Sequence, residues 1–124
     1  MPERKRFELN ERIAKILRTV PYEKGFHFYA TLGDYTGETA TSLDGLERKL
    51  RVVPVEWVMF HLQRGDFRRW IKDTLCDDEL ARRIGQMKLA LPAVALRKEL
   101  LVILQTRLTE LKQELPHRLR HTHS

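Results

Sequence analysis

The chain has one cysteine, Cys76, among its 124 residues, so no disulfide can form within it. Cys76 has no CxxC partner and no histidine near it in sequence, which favours a passive thiol over a nucleophile. No apolar run approaches the ~20 residues that span a bilayer. The basic N-terminus is not followed by the apolar segment of a secretory signal. These absences predict a cytoplasmic protein in a reducing compartment, with no membrane partner.

The sequence also lacks internal repeats and any linker rich in glycine or serine. Charged residues make up 32% of the chain but are mixed in sign, which argues against wholesale disorder. A chain of this length can bury about two thirds of its unfolded surface, enough for one core. We therefore expect a single helical domain over residues 9–115, with flexible basic tails at residues 1–8 and 117–124.

The spacing of apolar residues predicts a mostly α fold. We expect a compact domain of about six helices, with one short N-terminal β-strand and a long C-terminal helix. The predicted boundaries rest on N-caps, first-turn prolines and terminators. These are the caps Asn10, Ser42, Asp66 and Asp77 or Asp78, the prolines Pro54 and Pro92, and the terminators Pro21, Gly65 and Pro116.

The one clear strand signal runs from Phe26 to Leu32, where apolar residues alternate with His27, Tyr29 and Thr31. A lone strand leaves backbone donors and acceptors unpaired, so it needs a partner. The segment from Arg51 to Val53 is one choice, and the same strand of a second copy is the other. Residues 33–42 are expected to form a loop. They lack the ending of a Walker loop, so nucleotide hydrolysis is not indicated.

The last predicted helix carries leucines at heptad spacing, which suggests a helix–helix seam. The seam residues are Val94, Leu101, Leu108 and Leu115, with Leu104 and Leu111 at the second position. We interpret the first half as packing within the domain. In the second half, Leu104, Leu108, Leu111 and Leu115 form a possible homodimer surface. Packing on the N-terminal helix of the same chain is the alternative.

The net charge is +6, and fifteen of the 23 basic residues are arginine, whose planar donors bind two phosphate oxygens at once. Many bases have an acid one helical turn before them, and we interpret these as a solvated surface. The pairs are Glu8–Arg12, Glu11–Lys15, Glu47–Arg51, Asp78–Arg82 and Glu79–Arg83.

A second group of bases, with no acid placed this way, lies at Arg64, Arg68, Arg69 and Lys72. Arg68 and Lys72 are four residues apart with like charge, and only Arg69 has an acid one turn on, at Asp73. With Arg118 and Arg120 in the C-terminal tail, these residues are our candidate RNA-binding set. An uncommitted surface, or an arginine content set by genome composition, is the alternative.

Aromatic residues and a histidine flank this basic stretch. Trp57, Phe60, Phe67 and Trp70 suit base stacking or, with better reason, core packing. His61, Arg64 and Asp66 form a possible small polar site, the weakest of our hypotheses and the only enzymatic one. No Ser/His/Asp order or carboxylate pair is evident, so we name no catalytic residue and no cofactor. The tail histidines, His117, His121 and His123, lack a further ligand, so we predict no metal site.

The stretch from Phe28 to Ile84 resembles a small, largely archaeal family catalogued as a domain of unknown function, number 5752. The resemblance rests on FYATLGDYTG (28–37), TSL (41–43), VPVE (53–56), HLQRGDFRRWIKD (61–73) and DDELA (77–81). It implies an archaeal cytosolic protein and a central motif of His61, Gly65, Asp66, Phe67 and Trp70. The family has no established activity, so the resemblance implies no catalytic residue.

Two functions follow as leading hypotheses. The first is a non-enzymatic module that binds RNA through its arginine-rich surface, as a ribosome-associated or regulatory factor. The second is a homodimeric adaptor for protein interactions. The sequence itself names neither the ligand nor the partner.

Overall fold

A computed structural model describes residues 3–115, and this part of the chain contains six α-helices and one two-stranded antiparallel sheet. The elements are α1 (Glu3–Leu17), β1 (Phe26–Tyr29), β2 (Tyr35–Ala40), α2 (Leu43–Val52), α3 (Val55–Arg64), α4 (Asp66–Trp70), α5 (Asp78–Gly85) and α6 (Ala93–Glu114). A short 3-10 turn (Tyr22–Lys24) precedes β1, and one π-helical turn (Ile71–Leu75) extends α4. The predicted fold class, mostly α with a long last helix, is confirmed.

Local signals placed most helix boundaries correctly. The Ser42 hydroxyl accepts a hydrogen bond from the Gly45 N–H (3.0 Å) and caps α2, as predicted. Pro54 and Pro92 immediately precede α3 and α6. Gly65 ends α3 with φ of 75°, in the left-handed region that favours glycine.

Two predicted caps are wrong. Helix α1 begins at Glu3, so Asn10 lies inside the helix and does not cap it. Most residues of the first two turns are exposed, which is why the apolar spacing that marks the later turns could not detect them. At α4, Gly65 occupies the cap position and Asp66 is the first helical residue, so its carboxylate is free to bind side chains.

The partner of the predicted strand is β2, within the segment that we expected to be a loop. The register pairs Phe26 with Ala40, His27 with Thr39, and Tyr29 with Tyr35. The predicted pairing with residues 51–53 is wrong, because Arg51 and Val52 complete α2. The predicted strand is also shorter than expected, since it ends at Tyr29.

Helix α6 lies at the centre of the core and contacts α1, α2, α3 and α5. Its buried face consists of Leu96, Leu100, Leu104, Leu108, Leu111 and Leu115. Because Leu104, Leu108, Leu111 and Leu115 are at most 7% exposed, the prediction that they form a homodimer surface is wrong, and they pack within the chain. In the first half of α6 the buried leucines are four residues apart, so two residues of the predicted seam lie outside the buried face: Val94 is 75% exposed and Leu101 is half-buried.

No helix within residues 3–115 combines the length and the apolar character that crossing a membrane requires.

Candidate nucleic-acid interface

The corner between α3 and α4 brings the basic stretch and the predicted motif together. Arg64 is the last residue of α3, and the left-handed Gly65 turns the chain directly into α4. Arg68 and Arg69 follow on α4, and Lys72 lies in the π-helical turn. All four of these bases are exposed.

The carboxylate of Asp66 is the hub of this corner. Its Oδ2 accepts from His61 Nδ1 (2.8 Å) and from Arg64 Nε (3.1 Å), and its Oδ1 pairs with the Arg69 guanidinium. Burial raises the pKa of Asp66, but the hydrogen bonds from His61 and Arg64 outweigh burial and hold that pKa below its ordinary value. Arg64 and Arg69 therefore have an acidic partner. The sequence placed Asp66 with His61 and Arg64, but it did not identify Asp66 as the partner of Arg69. The partner predicted for Arg69, Asp73, makes no ion pair in the described region.

Arg68 and Lys72 differ from their neighbours, because neither has an ion-pair or hydrogen-bond partner among residues 3–115. The Arg68 side chain lies across two glycines. A Cβ atom on Gly65 would be 3.2 Å from its Nη2 atom, and one on Gly85 would be 3.3 Å from its Cδ atom. These two glycines leave the space in which the Arg68 side chain lies.

A groove of about 630 Å³ runs beside these residues, and we call it the basic groove. Its lining includes the cations Arg68, Arg69, Lys72 and Arg82 and the carboxylates of Asp73 and Asp78. Four cations and two carboxylates line the groove, and partners outside the lining neutralise two of the four cations. Arg82 is paired with Glu79 (2.6 Å), and Arg69 with Asp66, so Arg68 and Lys72 are its uncommitted cations.

Arg82 and Arg83 of α5 and Arg107 of α6 form an ion-pair network instead. Arg107 donates to both carboxylate oxygens of the buried Asp77 (2.9 and 3.1 Å) and to Glu110 (3.2 Å). Arg83 donates to both Glu110 oxygens (3.0 and 2.8 Å) and to Glu79 (2.7 Å). The hydrogen bonds from Arg82 and Arg83 lower the pKa of Glu79 to about 2. This network joins α5 to α6 and has no free guanidinium to offer a ligand.

His61 is buried and holds β1 against the corner. Its Nε2 accepts from the Tyr29 backbone N–H (2.8 Å), so its proton is on Nδ1, which donates to Asp66. Burial lowers the pKa of His61 and outweighs the opposite effect of Asp66, so the ring is neutral at pH 7. With both nitrogens engaged, His61 has no lone pair with which to act as a base, and the enzymatic hypothesis loses its central residue.

The aromatic residues divide into two groups. Phe67 and Trp70 are buried, and Trp70 Nε1 donates to the Lys24 carbonyl (2.8 Å), so core packing is confirmed for both. Phe60 and Tyr29 are only half-buried and line a second groove, of about 410 Å³. We call this the aromatic groove; its other lining residues are Gly25, Phe26, His27, Leu32, Gly33, His61, Arg64 and Asp66.

Sequence reasoning missed Tyr29 as a site residue. The signal was present, because the alternation in β1 already separates Tyr29 and His27 from the buried Phe26 and Phe28. The alternation could not show that Phe60, which lies on α3, completes the groove.

The five predicted motif residues, His61, Gly65, Asp66, Phe67 and Trp70, all lie at this corner and its supporting core. They position the chain, while Arg68 and Lys72 face outward. Arg118, Arg120 and the tail histidines lie outside the described residues. Within residues 3–115, no group of three His, Cys, Asp or Glu side chains is arranged to hold a metal ion.

No protein-family model matches the chain, and comparisons with curated proteins and with solved structures give no match either. The resemblance to the archaeal family therefore stays a prediction.

Proposed function

We propose that this chain is a non-enzymatic module that binds RNA through the basic groove, as a ribosome-associated or regulatory factor. The observation that carries the proposal is the pair Arg68 and Lys72, two exposed cations without an acidic partner in the described region. A cytoplasmic location fits this role and the absence of disulfides. Archaeal origin rests on the family resemblance alone.

The energetics favour an external anion at this pair. Like charges four residues apart on a helix repel one another by a few tenths of a kcal/mol. A phosphate group between them removes the repulsion and accepts charge-assisted hydrogen bonds from both. Arg68 adds a planar fork of donors, and Lys72 adds a mobile point charge.

The test is RNA binding in rising salt, measured by filter binding with a mixed-sequence RNA. Neutralising phosphates releases counterions, so log K should fall linearly with log salt, by about 0.7 per phosphate contact for single strands. The double variant Arg68→Ala/Lys72→Ala should bind at least tenfold more weakly at 50 mM salt, with a shallower slope.

The matched control is Arg48→Ala/Lys98→Ala. These residues are also one exposed arginine and one exposed lysine without an ion pair in residues 3–115, but they line neither groove. The control removes the same net charge and should change RNA affinity less than threefold. Equal losses in both variants would reduce the effect to net charge and contradict the proposal. So would the absence of RNA binding by the wild-type chain even in dilute buffer.

A further inference from the structure

We infer that the aromatic groove takes one unpaired base of a single-stranded RNA whose phosphates lie along the basic groove. The inference rests on the proposed function and specifies the class of RNA. It is carried by the contents of the aromatic groove and by its connection to the basic groove.

The aromatic groove has the composition of a base-binding site. Tyr29 and Phe60 line it, with ring centroids 6.3 and 5.0 Å from the ring of the buried His61. Both are half-buried, so part of each side chain is open to the groove. Aromatic side chains at this exposure stack on bases of any sequence, because every base has a π face.

Arginines connect the two grooves. Arg64 lines the aromatic groove and also a smaller pocket of about 170 Å³. Arg68 lines that same pocket and also the basic groove. The three cavities are therefore neighbours: the pocket lined by Arg64 and Arg68 lies between the basic groove and the aromatic groove.

Charge complementarity selects the occupant. The Arg64 guanidinium lies 5.1 Å from the centre of the Phe60 ring, so the aromatic groove has a cation at its rim. Asp66 neutralises part of that charge, but Arg68 beyond it has no such partner in the described region. A ligand that fits must carry a flat apolar group beside a chain of negative charges. A nucleotide strand has both, and its bases are available only when the strand is unpaired.

The experiment compares three fluorescent RNA probes by anisotropy at 50 mM salt. They are a 12-residue single strand, the same sugar–phosphate strand with every base removed, and the duplex of the intact strand with its complement. The abasic strand keeps every phosphate and loses only bases. The wild-type chain should bind the intact strand about tenfold more tightly than either the abasic strand or the duplex.

Three variants locate the effect. Tyr29→Leu and Phe60→Leu should each weaken binding of the intact strand about tenfold and leave binding of the abasic strand unchanged. Tyr22→Leu, at an exposed tyrosine of the preceding turn that does not line the groove, is the control and should bind both strands as the wild type does. Photocrosslinking of the wild type to a 4-thiouridine strand, mapped by mass spectrometry, should label Tyr29 or Phe60. This last readout does not depend on the variants folding.

The outcomes separate the two proposals. Equal affinity for the intact and abasic strands, with a steep salt dependence, overturns this inference and leaves the proposed function standing. Tighter binding of the duplex, or crosslinks confined to other residues, overturns it too. No binding of any probe overturns the proposed function and this inference with it.

Discussion

Two regions of this molecule are rich in basic residues, but only one of them pairs its cations with carboxylates. On α5 and α6, Arg83 and Arg107 are held by Glu110 and Asp77, which lie 27 and 30 residues away in sequence. On α4 and the π-helical turn, Arg68 and Lys72 find no carboxylate among the described residues. Whether an arginine is structural or free to bind a ligand therefore depends on carboxylates that the fold brings to it, as well as on acids one helical turn away.

We expect the largest loss of stability when the ion-pair network between α5 and α6 is broken. Arg107→Ala would leave the carboxylate of Asp77, only 1% exposed, without its ion-pair partner. Removing one member of a buried pair costs about 3–5 kcal/mol, so we expect the free energy of unfolding to fall by at least about 3 kcal/mol. Urea unfolding followed by circular dichroism measures it.

Arg82→Ala is the control for this prediction. Arg82 also pairs with a carboxylate, Glu79, but both side chains are more than a third exposed. Solvent screens such pairs, so the free energy of unfolding should fall far less than in Arg107→Ala. If Arg107→Ala destabilised the protein no more than Arg82→Ala, the ion-pair network between α5 and α6 would not stabilise the fold as we expect.

We expect an intermediate effect at the corner between α3 and α4, where His61 makes the free energy of unfolding depend on pH. Burial holds the pKa of His61 in the folded chain below its ordinary 6.5, so the unfolded chain takes up this proton at a higher pH. The stabilisation from neutral His61 is therefore complete above pH 6.5. It declines as the pH falls below 6.5, at no more than about 1.4 kcal/mol per pH unit.

Urea unfolding at half-unit steps from pH 8 to pH 5 reveals this decline. His61→Gln is the control, because a glutamine amide has both a donor and an acceptor but does not titrate. The variant should lose the decline between pH 6.5 and 5. An identical decline in the variant would assign it to other groups.

We expect the smallest change in stability when the unpaired cations of the basic groove are removed. Arg68→Ala/Lys72→Ala removes two exposed cations that repel each other and pair with nothing in the described region. Unfolding should change by less than about 0.5 kcal/mol, in either direction. Calorimetry or urea unfolding checks this, and a loss above about 1.5 kcal/mol would mean that these residues are structural as well.

Most of what the sequence predicted correctly depends on neighbouring residues. Ser42, Pro54, Gly65 and Pro92 act within one helical turn, and all four marked real boundaries. The apolar spacing also identified α6 as a core helix, although in its first half the buried leucines follow i, i+4 steps where heptads were expected.

What the sequence could not supply were contacts made across the chain. The segment 35–40 contains Gly37, with φ of 89°, and exposed polar residues, so nothing local marked it as a strand until β1 paired with it. The contacts of Asp66 with His61 and Arg64 were expected, but its ion pair with Arg69 was missed, because an aspartate at a helix start is normally a cap. Its hydrogen bond with His61 depends on the angle between α3 and α4, whereas Arg69 lies three residues further along α4 itself. The aromatic groove needed Tyr29 and Phe60 from separate elements.

The hydrogen bond from the Tyr29 backbone to His61 has a consequence for aggregation. A two-stranded hairpin offers its outer strand to any extended peptide, which is how edge-to-edge aggregation starts. Here the imidazole of α3 already occupies the backbone donor that an incoming strand would need at Tyr29. The residue that fixes the hairpin onto the helices thus also closes part of that edge to a strand from another molecule.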